Sequence, residues 1–431
     1  MNSYEYTCCV YAPVDRYGGY PARSRDFVKS LIRLKPTWDV KIISCGWGNT
    51  RAGFLEDHGE DEILSRIIPQ LDFQPDYFFS ITVPNEWQKV GKFNIGVTAG
   101  IETTLCHGDW IDGCNRMDLV LVSSQHGKTV FENSRFDIQD RRTGQVIRTV
   151  QLQTPVEVLM EGVDVEKYFP KNMPGKTFQK TELSTYLDTI PESYLYLVVG
   201  MWMQGVMGED RKNIAYTIKM FLKTFSGIKS PPALLLKVHQ ATTSLMDRER
   251  ITQYINEIKS TVPEASHLNI YLLHGDLSDS QMNELYNHGK VKTLVSFTKG
   301  EGFGRPLLEF SVTGKPIIAS GWSGHVDFLN KDFIIFVSGT LTPLHPSSVV
   351  EKTLIKEAKW FTPDDRQVQT AFLHTFRKYE ECLRESKKQG QVSRRNWNMK
   401  SMELQMQDIL DTKVPILPRQ MKIKLPPISK K

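Results

Sequence analysis

The chain contains 431 residues, which is too long for one ordinary hydrophobic core and favours two domains of the usual size. Hydrophobic residues make up 40% of it and charged residues 24%, which is typical of a soluble, ordered protein and excludes a disordered chain. No apolar run reaches the roughly 18 to 20 residues of a membrane-spanning helix, and a formal net charge of +5 is too small to identify a partner.

The N-terminus and the cysteines both favour the cytoplasm. Residues 1–6 lack the basic and apolar regions of a signal peptide. The cysteines are Cys8, Cys9, Cys45, Cys106, Cys114 and Cys382. Their spacing is not that of a disulfide framework, so we expect reduced thiols. Cys106, His107 and Cys114 lack a second ligand pair of zinc-site spacing, so no metal site is predicted.

Strand and helix patterns alternate along the first half of the chain. Short apolar runs predict parallel strands at residues 6–11, 40–44, 77–82, 93–97 and 119–123. Gly18 and Gly19 predict a tight loop after the first strand. A helix is predicted over residues 22–34, where Phe27, Leu31 and Leu34 are spaced along one face.

The second half repeats this scheme. Strands are predicted at residues 194–199, 233–238, 268–273, 291–297, 316–319 and 333–337, with helical patterns between most of them. Two successive strand–helix series predict an α/β protein with two doubly wound sheets, whose ligands bind beyond the carboxyl ends of the strands. We therefore expect the active site in the cleft between two domains.

Three segments connect or end these series. Residues 154–191 contain several prolines and the polar stretch 171–180, which fit an inter-domain connection. Near the other end, a break at residues 389–391 precedes a helix predicted over residues 394–410. Residues 413–431 form a basic tail without an acidic residue, which we interpret as a solvated end, with contact to an anionic acceptor or surface as the alternative.

Residues 296–330 carry the strongest functional signal. Glu301 and Glu309 have seven residues between them and flank a glycine-rich turn. Pro306 can open a helix, because the first helical position needs no N–H. Gly302 and Gly304 let a ligand approach the backbone, and a helix N-terminus adds free N–H groups and partial positive charge. The pattern predicts a phosphate-binding loop, with Glu301 on the loop and Glu309 on the helix.

This stretch resembles the donor-site signature of retaining glycosyltransferases of the GT-B fold, especially the family 4 type, in which an E-x7-E pair flanks an EGFG turn. Three other segments match that family in the same order: EGVD at residues 161–164 with YFP at 168–170, GMWMQGVMGEDRKN at 200–213, and HGDLSDSQMNELY at 274–286. The resemblance implies two Rossmann-like domains that face each other across a cleft, and a C-terminal helix that crosses back to the N-terminal domain.

On this resemblance the chain divides into five parts. They are an N-terminal acceptor-binding domain at residues 1–165, a linker at 166–190, a C-terminal nucleotide-sugar-binding domain at 191–393, a crossing helix at 394–412 and a basic tail at 413–431. Trp397 resembles the aromatic residue often found where the crossing helix begins.

The resemblance also implies roles for residues of the C-terminal domain. Arg211 and Lys212 bind the donor diphosphate in place of a divalent metal, so no metal is expected to be required. Fixed positive groups there stabilise the charge that grows on the leaving phosphate. Glu309 accepts hydrogen bonds from the ribose diol, and Glu301 lies beside the transferred sugar and is a catalytic candidate. Further donor-binding residues are Lys299, Gly302, Phe303, Gly304 and His325.

Several of these residues also have a purely structural or solvent-exposed interpretation. Arg211 and Lys212 are adjacent, whereas many relatives space such a pair, so which one binds the diphosphate is open, and a solvated pair at a helix start is the alternative. Lys299 and Arg305 flank the turn and could both add positive charge near phosphate, or they could equally lie on the surface, and His325 could be a buried structural histidine.

In the N-terminal half the resemblance assigns two further sets of residues. Gly18 and Gly19 correspond to the glycine loop that faces the donor across the cleft, with a plain turn as the alternative. Glu102 and His107 correspond to a region that faces the acceptor or the sugar, and His107 is also a catalytic candidate.

The expected activity is transfer of a hexose-type sugar, with retention of anomeric configuration, from a nucleotide diphosphate sugar to a hydroxyl acceptor. UDP is the most frequent nucleotide of this family, and no tightly bound cofactor is expected. A glycosidase pair is rejected, because the two glutamates on one strand–loop–helix unit reach opposite ends of a donor. The alternatives are a GT-B-type sugar-nucleotide epimerase and a non-catalytic sugar-nucleotide-binding module.

Two acceptor classes are expected. The GEGFG turn that continues into GWSGHVDFL resembles a subgroup of bacterial polysaccharide clusters and phages, which implies either a saccharide or a hydroxymethylated base in DNA. DNA would require a basic track and room for a flipped base. Arg141, Arg142, Arg148 and the basic tail give this second class weak support.

Overall fold

The computed structural model of the chain describes residues 4–140, 142–178, 180–203, 207–240 and 242–418. Arg141 and most of the predicted tail lie outside these ranges. Within them, no helix is both long and apolar enough to cross a membrane.

The first half of the chain builds a six-stranded parallel sheet. Its elements are β1 (Tyr6–Ala12), α1 (Gly19–Leu34), β2 (Trp38–Ser44), α2 (Phe54–Asp57), α3 (Asp61–Leu64), β3 (Tyr77–Ile81), β4 (Phe93–Thr98), α4 (Gly108–Asn115), β5 (Leu119–Val122), α5 (Gln125–Asn133), β6 (Phe136–Gln139), β7 (Val146–Val150) and β8 (Val156–Val158). The strand order is β2-β1-β3-β4-β5-β8, and β6 and β7 form a separate antiparallel hairpin.

The second half builds another six-stranded parallel sheet. Its elements are α6 (Glu182–Thr189), β9 (Leu195–Met201), α7 (Ile214–Phe225), β10 (Ala233–His239), α8 (Leu245–Ser260), β11 (Ile270–Leu272), α9 (Asp279–Asn287), β12 (Val291–Ser296), α10 (Arg305–Ser311), β13 (Ile317–Ser320), β14 (Ile335–Val337), β15 (Gly339–Pro343), β16 (Lys359–Pro363), α11 (Asp365–Arg377), α12 (Tyr379–Asn396) and α13 (Met399–Lys413). The strand order is β11-β10-β9-β12-β13-β14, and β15 pairs with β16 in an antiparallel hairpin.

Both sheets are buried on two faces, which explains the apolar runs that predict their strands. Along β5, Leu119 and Leu121 point into one hydrophobic cluster, whereas Val120 and Val122 point into another. The same alternation follows β9, whose tyrosine Tyr196 and neighbouring leucines face opposite sides of the second sheet. Two doubly wound sheets with helices on both faces confirm the predicted fold class.

Each sheet has one point where its strand order reverses. In the first sheet this point lies between β1 and β3, and in the second between β9 and β12. Connections that leave adjacent strands in opposite directions open a crevice at their carboxyl ends, where ligands of such sheets bind. The loop with Gly18 follows β1, and the loops with Arg211 and Glu301 follow β9 and β12.

The last helix, α13, packs on the first sheet and not on the second. Met402, Met406, Ile409 and Leu410 are buried in the same hydrophobic cluster as strand β1. The chain passes from one half to the other near Val163 and returns near Trp397, and these two crossings lie side by side. The Val163 amide donates to the Trp397 carbonyl at 2.8 Å, and the Met399 amide donates to the Val163 carbonyl at 3.1 Å.

The predicted break at residues 389–391 is wrong, because α12 continues to Asn396. A Cβ at Gly390 would lie 2.9 Å from the Gly314 Cα, so this glycine permits close packing and does not end the helix. Gln389 is held by the Phe328 carbonyl, to which its Nε2 donates at 2.9 Å. The turn instead falls at Trp397 and Asn398, and the chain continues as α13.

Other predicted bounds differ at the ends of elements. The first helix begins at Gly19 and not at residue 22, because Gly18 has a φ of 120° and its carbonyl accepts from the Ala22 amide at 3.0 Å. Strand β8, both hairpins and helix α6 within the predicted linker were not predicted as elements.

We expect the packing of α13 to stabilise the first half of the chain. Met406→Ala removes a buried side chain, so it should lower the free energy of unfolding by about 2 to 5 kcal/mol. Leu404→Ala, on the same helix but 60% exposed, is the matched control and should change it little. Urea unfolding measures both, and equal losses would contradict the docking of α13.

Candidate active site

The turn between β12 and α10 presents three consecutive backbone amides that have no hydrogen-bond acceptor among the described residues. They belong to Gly302, Phe303 and Gly304, all of which are buried. Buried N–H groups are nearly always paired, so an unpaired run is a place where a ligand can supply acceptors. Gly304 permits the turn with a φ of 102°, and Pro306 occupies the first turn of α10, where its missing N–H costs nothing.

Glu301 lies on this turn and binds two cations from the loop after β9. Its Oε1 accepts from Lys212 Nζ at 2.6 Å, and its Oε2 lies 3.3 Å from Arg211 Nη1, which also donates to the Gly300 carbonyl at 2.7 Å. The Ser323 hydroxyl accepts from the Glu301 amide at 2.8 Å. The structure therefore brings Glu301, Arg211 and Lys212 together where the strand order of the second sheet reverses.

Charge controls the ionisation of Glu301. Burial by itself would raise the pKa of this carboxyl group, but the positive charges of Lys212 and Arg211 outweigh it and lower the pKa to about 2. Glu301 is thus a carboxylate at neutral pH. It can accept hydrogen bonds but cannot donate a proton as a general acid.

The loop that holds Arg211 and Lys212 is fixed by Asp210. Its buried carboxylate accepts from the Lys212 amide at 3.2 Å and from the Ile214 amide at 3.0 Å, which caps the start of α7. The Lys299 amide donates to the Arg211 carbonyl at 2.8 Å and joins this loop to the turn after β12. The two cations therefore extend from a backbone anchored at both strands.

The N-terminal half packs directly against this turn. A Cβ at Gly300 would lie 2.0 Å from the Glu102 carbonyl oxygen, and one at Gly302 would lie 2.6 Å from the Ala99 carbonyl oxygen. The Ser124 hydroxyl donates to the Gly302 carbonyl at 2.6 Å. The two halves are therefore closed on each other, and no ligand fits between these two backbones until they move apart.

Glu102 extends from the N-terminal half toward Arg211, and its Oε1 lies 3.5 Å from Arg211 Nε. Arg211 is thus shared by two carboxylates, Glu102 from one half and Glu301 from the other. With Lys212, the cluster contains two positive and two negative side chains, so the cations are neutralised while the site is closed.

Glu309 lies on α10 and belongs to a second charge cluster. Its Oε1 accepts from Arg305 Nε at 3.1 Å, and Tyr286 donates to its Oε2 at 3.5 Å. Arg305 reaches across to the N-terminal half, where its Nη2 lies 2.8 Å from Asp26 Oδ2 and its Nη1 lies 3.6 Å from Glu161. Arg305 therefore forms ion pairs between the two halves and is not a solvated surface residue, which is one of the two expectations for it.

Burial dominates the ionisation of Glu309. It raises the pKa of this carboxyl group to about 7. Arg305 acts in the opposite direction and lowers the pKa in part, whereas the negative charges of Asp279 and Asp26 help to raise it. Glu309 and Glu301 thus titrate far apart, although both lie on the same loop–helix unit.

Three predicted donor-binding residues, His325, Lys299 and Phe303, contact other protein groups with their side chains. His325 is fully buried, and its Nε2 donates to the Ser320 carbonyl at 2.6 Å, while its Nδ1 has no partner among the described residues. The Lys299 ammonium lies 4.5 Å from the centre of the Trp360 ring. The Phe303 ring packs beside Phe328, so only its amide faces the turn.

The remaining predicted residues are not in contact with this cluster. His107 caps helix α4, where its Nδ1 accepts from the Asp109 amide at 3.0 Å. Gly18 ends the loop after β1 and Gly19 begins α1, and an added Cβ at either would lie no closer than 3.8 Å to a neighbour, so the space beside them is open. Their predicted roles stay predictions.

Sequence reasoning missed several polar residues that organise the site. Asp210 has a readable signal, because a loop aspartate often accepts from the backbone amide two residues on, here that of Lys212. Ser124 has the signal of a helix cap, because it accepts from the Gly127 amide at the start of α5, but nothing local predicts its contact with Gly302. Asp26 and the Arg305 bridge have no local signal, since these partners are more than 100 residues apart in the chain. Within the described ranges, no group of three or more His, Cys, Asp or Glu side chains is placed to hold a metal ion.

No family model and no curated protein matches the sequence. Among solved structures, the chain is similar to a glycosyltransferase from Rickettsia africae, with a TM-score of 0.62, 12% identity and coverage of 95% of this chain and 99% of that one. It is also similar to HepE of Anabaena in complex with UDP and glucose, with a TM-score of 0.61, 10% identity and coverage of 94% of this chain and 100% of that one. For sucrose-phosphate synthase from Thermosynechococcus elongatus the TM-score is 0.59 and the identity 12%, with coverage of 94% of this chain and 98% of that one. These identities show the fold alone, and the chain has the GT-B fold, as the resemblance implies.

We expect Gly300→Ala to prevent closure, since its methyl group would overlap the Glu102 carbonyl of the other half. Small-angle X-ray scattering should then show a larger radius of gyration, with an unchanged circular dichroism spectrum. Gly289→Ala is the control, because an added Cβ there meets no atom within 4 Å. An unchanged radius for Gly300→Ala would contradict the closed contact.

Proposed function

We propose that this protein is a retaining, metal-independent glycosyltransferase that moves a hexose-type sugar from a UDP-sugar to a hydroxyl acceptor. The observation that carries the proposal is the run of unpaired amides at Gly302, Phe303 and Gly304 beside Arg211 and Lys212. Backbone donors and fixed cations at one point are what a leaving diphosphate requires. The HepE structure in complex with UDP and glucose gives the choice of UDP its support.

The proposed roles combine the family resemblance with the contacts of these side chains. Arg211 and Lys212 exchange their carboxylate partners for the diphosphate when the halves open and the donor enters. Glu301 then accepts hydrogen bonds from the sugar hydroxyls, and Glu309 accepts from the ribose diol. The bond between the anomeric carbon and the diphosphate breaks as the acceptor oxygen bonds to that carbon on the same face, and the acceptor proton passes to the departing phosphate.

A saccharide is the acceptor that we propose. A DNA acceptor would need a basic track, and Arg148, one of the arginines that suggest one, is paired with Asp112 at 2.7 Å. Glu102, which approaches Arg211 from the N-terminal half, is the proposed acceptor-facing residue.

The proposal is tested with a panel of nucleotide sugars, by following UDP release with and without saccharide acceptors. Arg211→Ala should lower turnover about 100- to 1,000-fold, because it removes a charge that stabilises the leaving phosphate. Arg384→Ala, an exposed arginine on α12, is the control and should leave turnover unchanged. UDP release that needs no acceptor and leaves an epimerised sugar would favour the epimerase, and unchanged turnover in Arg211→Ala would refute the assigned role.

Donor binding should depend on pH through Glu309. The ribose hydroxyls donate to the ionised carboxylate, so binding favours the deprotonated form, and protonation below the pKa of about 7 should oppose it. Affinity for UDP-glucose should fall by up to about tenfold per pH unit below that pKa and level off above it. Calorimetry between pH 5.5 and 8.5 measures this, and Glu309→Gln should bind weakly with a flat profile. The same slope in Glu309→Gln would assign the titration to another group.

A further inference from the structure

A cavity of about 200 Å³ lies at the opposite end of β12 from the candidate active site. A strand of six residues spans about 20 Å, so the two sites are well separated. The inter-domain connection forms one wall, and the turn before β12 forms the other. Its polar lining residues include Lys171, Lys180 and Ser184 from the connection and Asn287, His288 and Lys290 from the turn.

Positive charge exceeds negative charge in this cavity. Neither Lys171 nor Lys180 has an acidic partner among the described residues. Lys290 Nζ donates to the carbonyls of Asp188, at 2.8 Å, and Ile190, which leaves its third N–H for another acceptor. Among the described residues that line the cavity, Asp188 is the one acidic side chain, and its carboxylate accepts from His288 Nε2 at 3.1 Å.

A further lysine lies behind the cavity wall. Lys315 Nζ donates at 2.8 Å to the carbonyls of both His288 and Val291. Burial, together with the positive charges of Lys292 and Lys171, lowers the pKa of Lys315. Lys171 and Lys315 are therefore close enough to disfavour each other's positive charge, and a bound anion would offset that repulsion.

We propose that this cavity binds the phosphate group of a small anion, either inorganic phosphate or a sugar phosphate. Lysine ammonium groups bind phosphate as point charges with freely directed donors. The volume is below the roughly 300 to 1,000 Å³ of pockets for drug-sized ligands, which suits a ligand no larger than a hexose phosphate. An anion held by Lys171, Lys180 and Lys290 also ties the connection to the strand that leads to Glu301. The proposal is independent of the sugar-transfer activity.

Isothermal titration calorimetry of the full chain with inorganic phosphate and with glucose 6-phosphate tests this site. The double variant Lys171→Gln/Lys180→Gln should bind the better of the two probes at least tenfold more weakly than the unaltered protein. Both lysines are exposed, so the variant should keep its fold, which circular dichroism checks. Tighter binding of glucose 6-phosphate identifies a phosphate monoester as the ligand, and equal or tighter binding of inorganic phosphate identifies the free anion.

Two controls separate this site from other sources of phosphate binding. Lys331→Gln/Lys400→Gln removes the same charge at exposed positions elsewhere and should leave affinity unchanged. Arg211→Ala alters the proposed donor site and should also leave it unchanged. The proposal is overturned if neither probe binds, if the Lys331/Lys400 variant loses affinity equally, or if Arg211→Ala abolishes binding.

Discussion

One buried carboxylate, Glu301, and the two cations that neutralise it join the loops at the carboxyl edge of the second sheet. Glu301 lies at the carboxyl end of β12 and Lys212 follows β9, so their contact joins the two strands between which the strand order reverses. A buried carboxylate without such partners would be costly. The same two cations are the groups that a diphosphate would need. The ion pairs that stabilise the loops therefore also hold the positive charge in place for such a ligand.

The closed contact between the halves gives this cluster its second function. Glu102 approaches Arg211 from one half of the chain and Glu301 from the other, so an entering anion has to compete with carboxylates for the arginine. In the closed structure, these two carboxylates balance the positive charges of Arg211 and Lys212. An anion that takes Arg211 would also free Glu102, the residue proposed to face the acceptor.

The sequence predicted both sheets, because strands buried on two faces read as apolar runs, and it located Glu301 and Glu309 on the correct turn and helix. It misjudged Gly390, since a glycine inside a helix looks like a break when its packing partner Gly314 is 76 residues away in the chain. The Arg305 bridge to Asp26 was beyond sequence reasoning for a related reason. A charge pair between domains has no periodicity and no motif, so only the closed fold shows it.

Arg305 also has a kinetic consequence. It binds Asp26 and Glu161 on one side and Glu309 on the other, so the residue that ties the lobes together also holds the glutamate proposed for the ribose. Separation of the lobes has to break the ion pairs of Arg305 with Asp26 and Glu161. In the proposed transfer reaction, spent nucleotide would leave only after that separation, so the rate of lobe opening would set an upper limit on turnover.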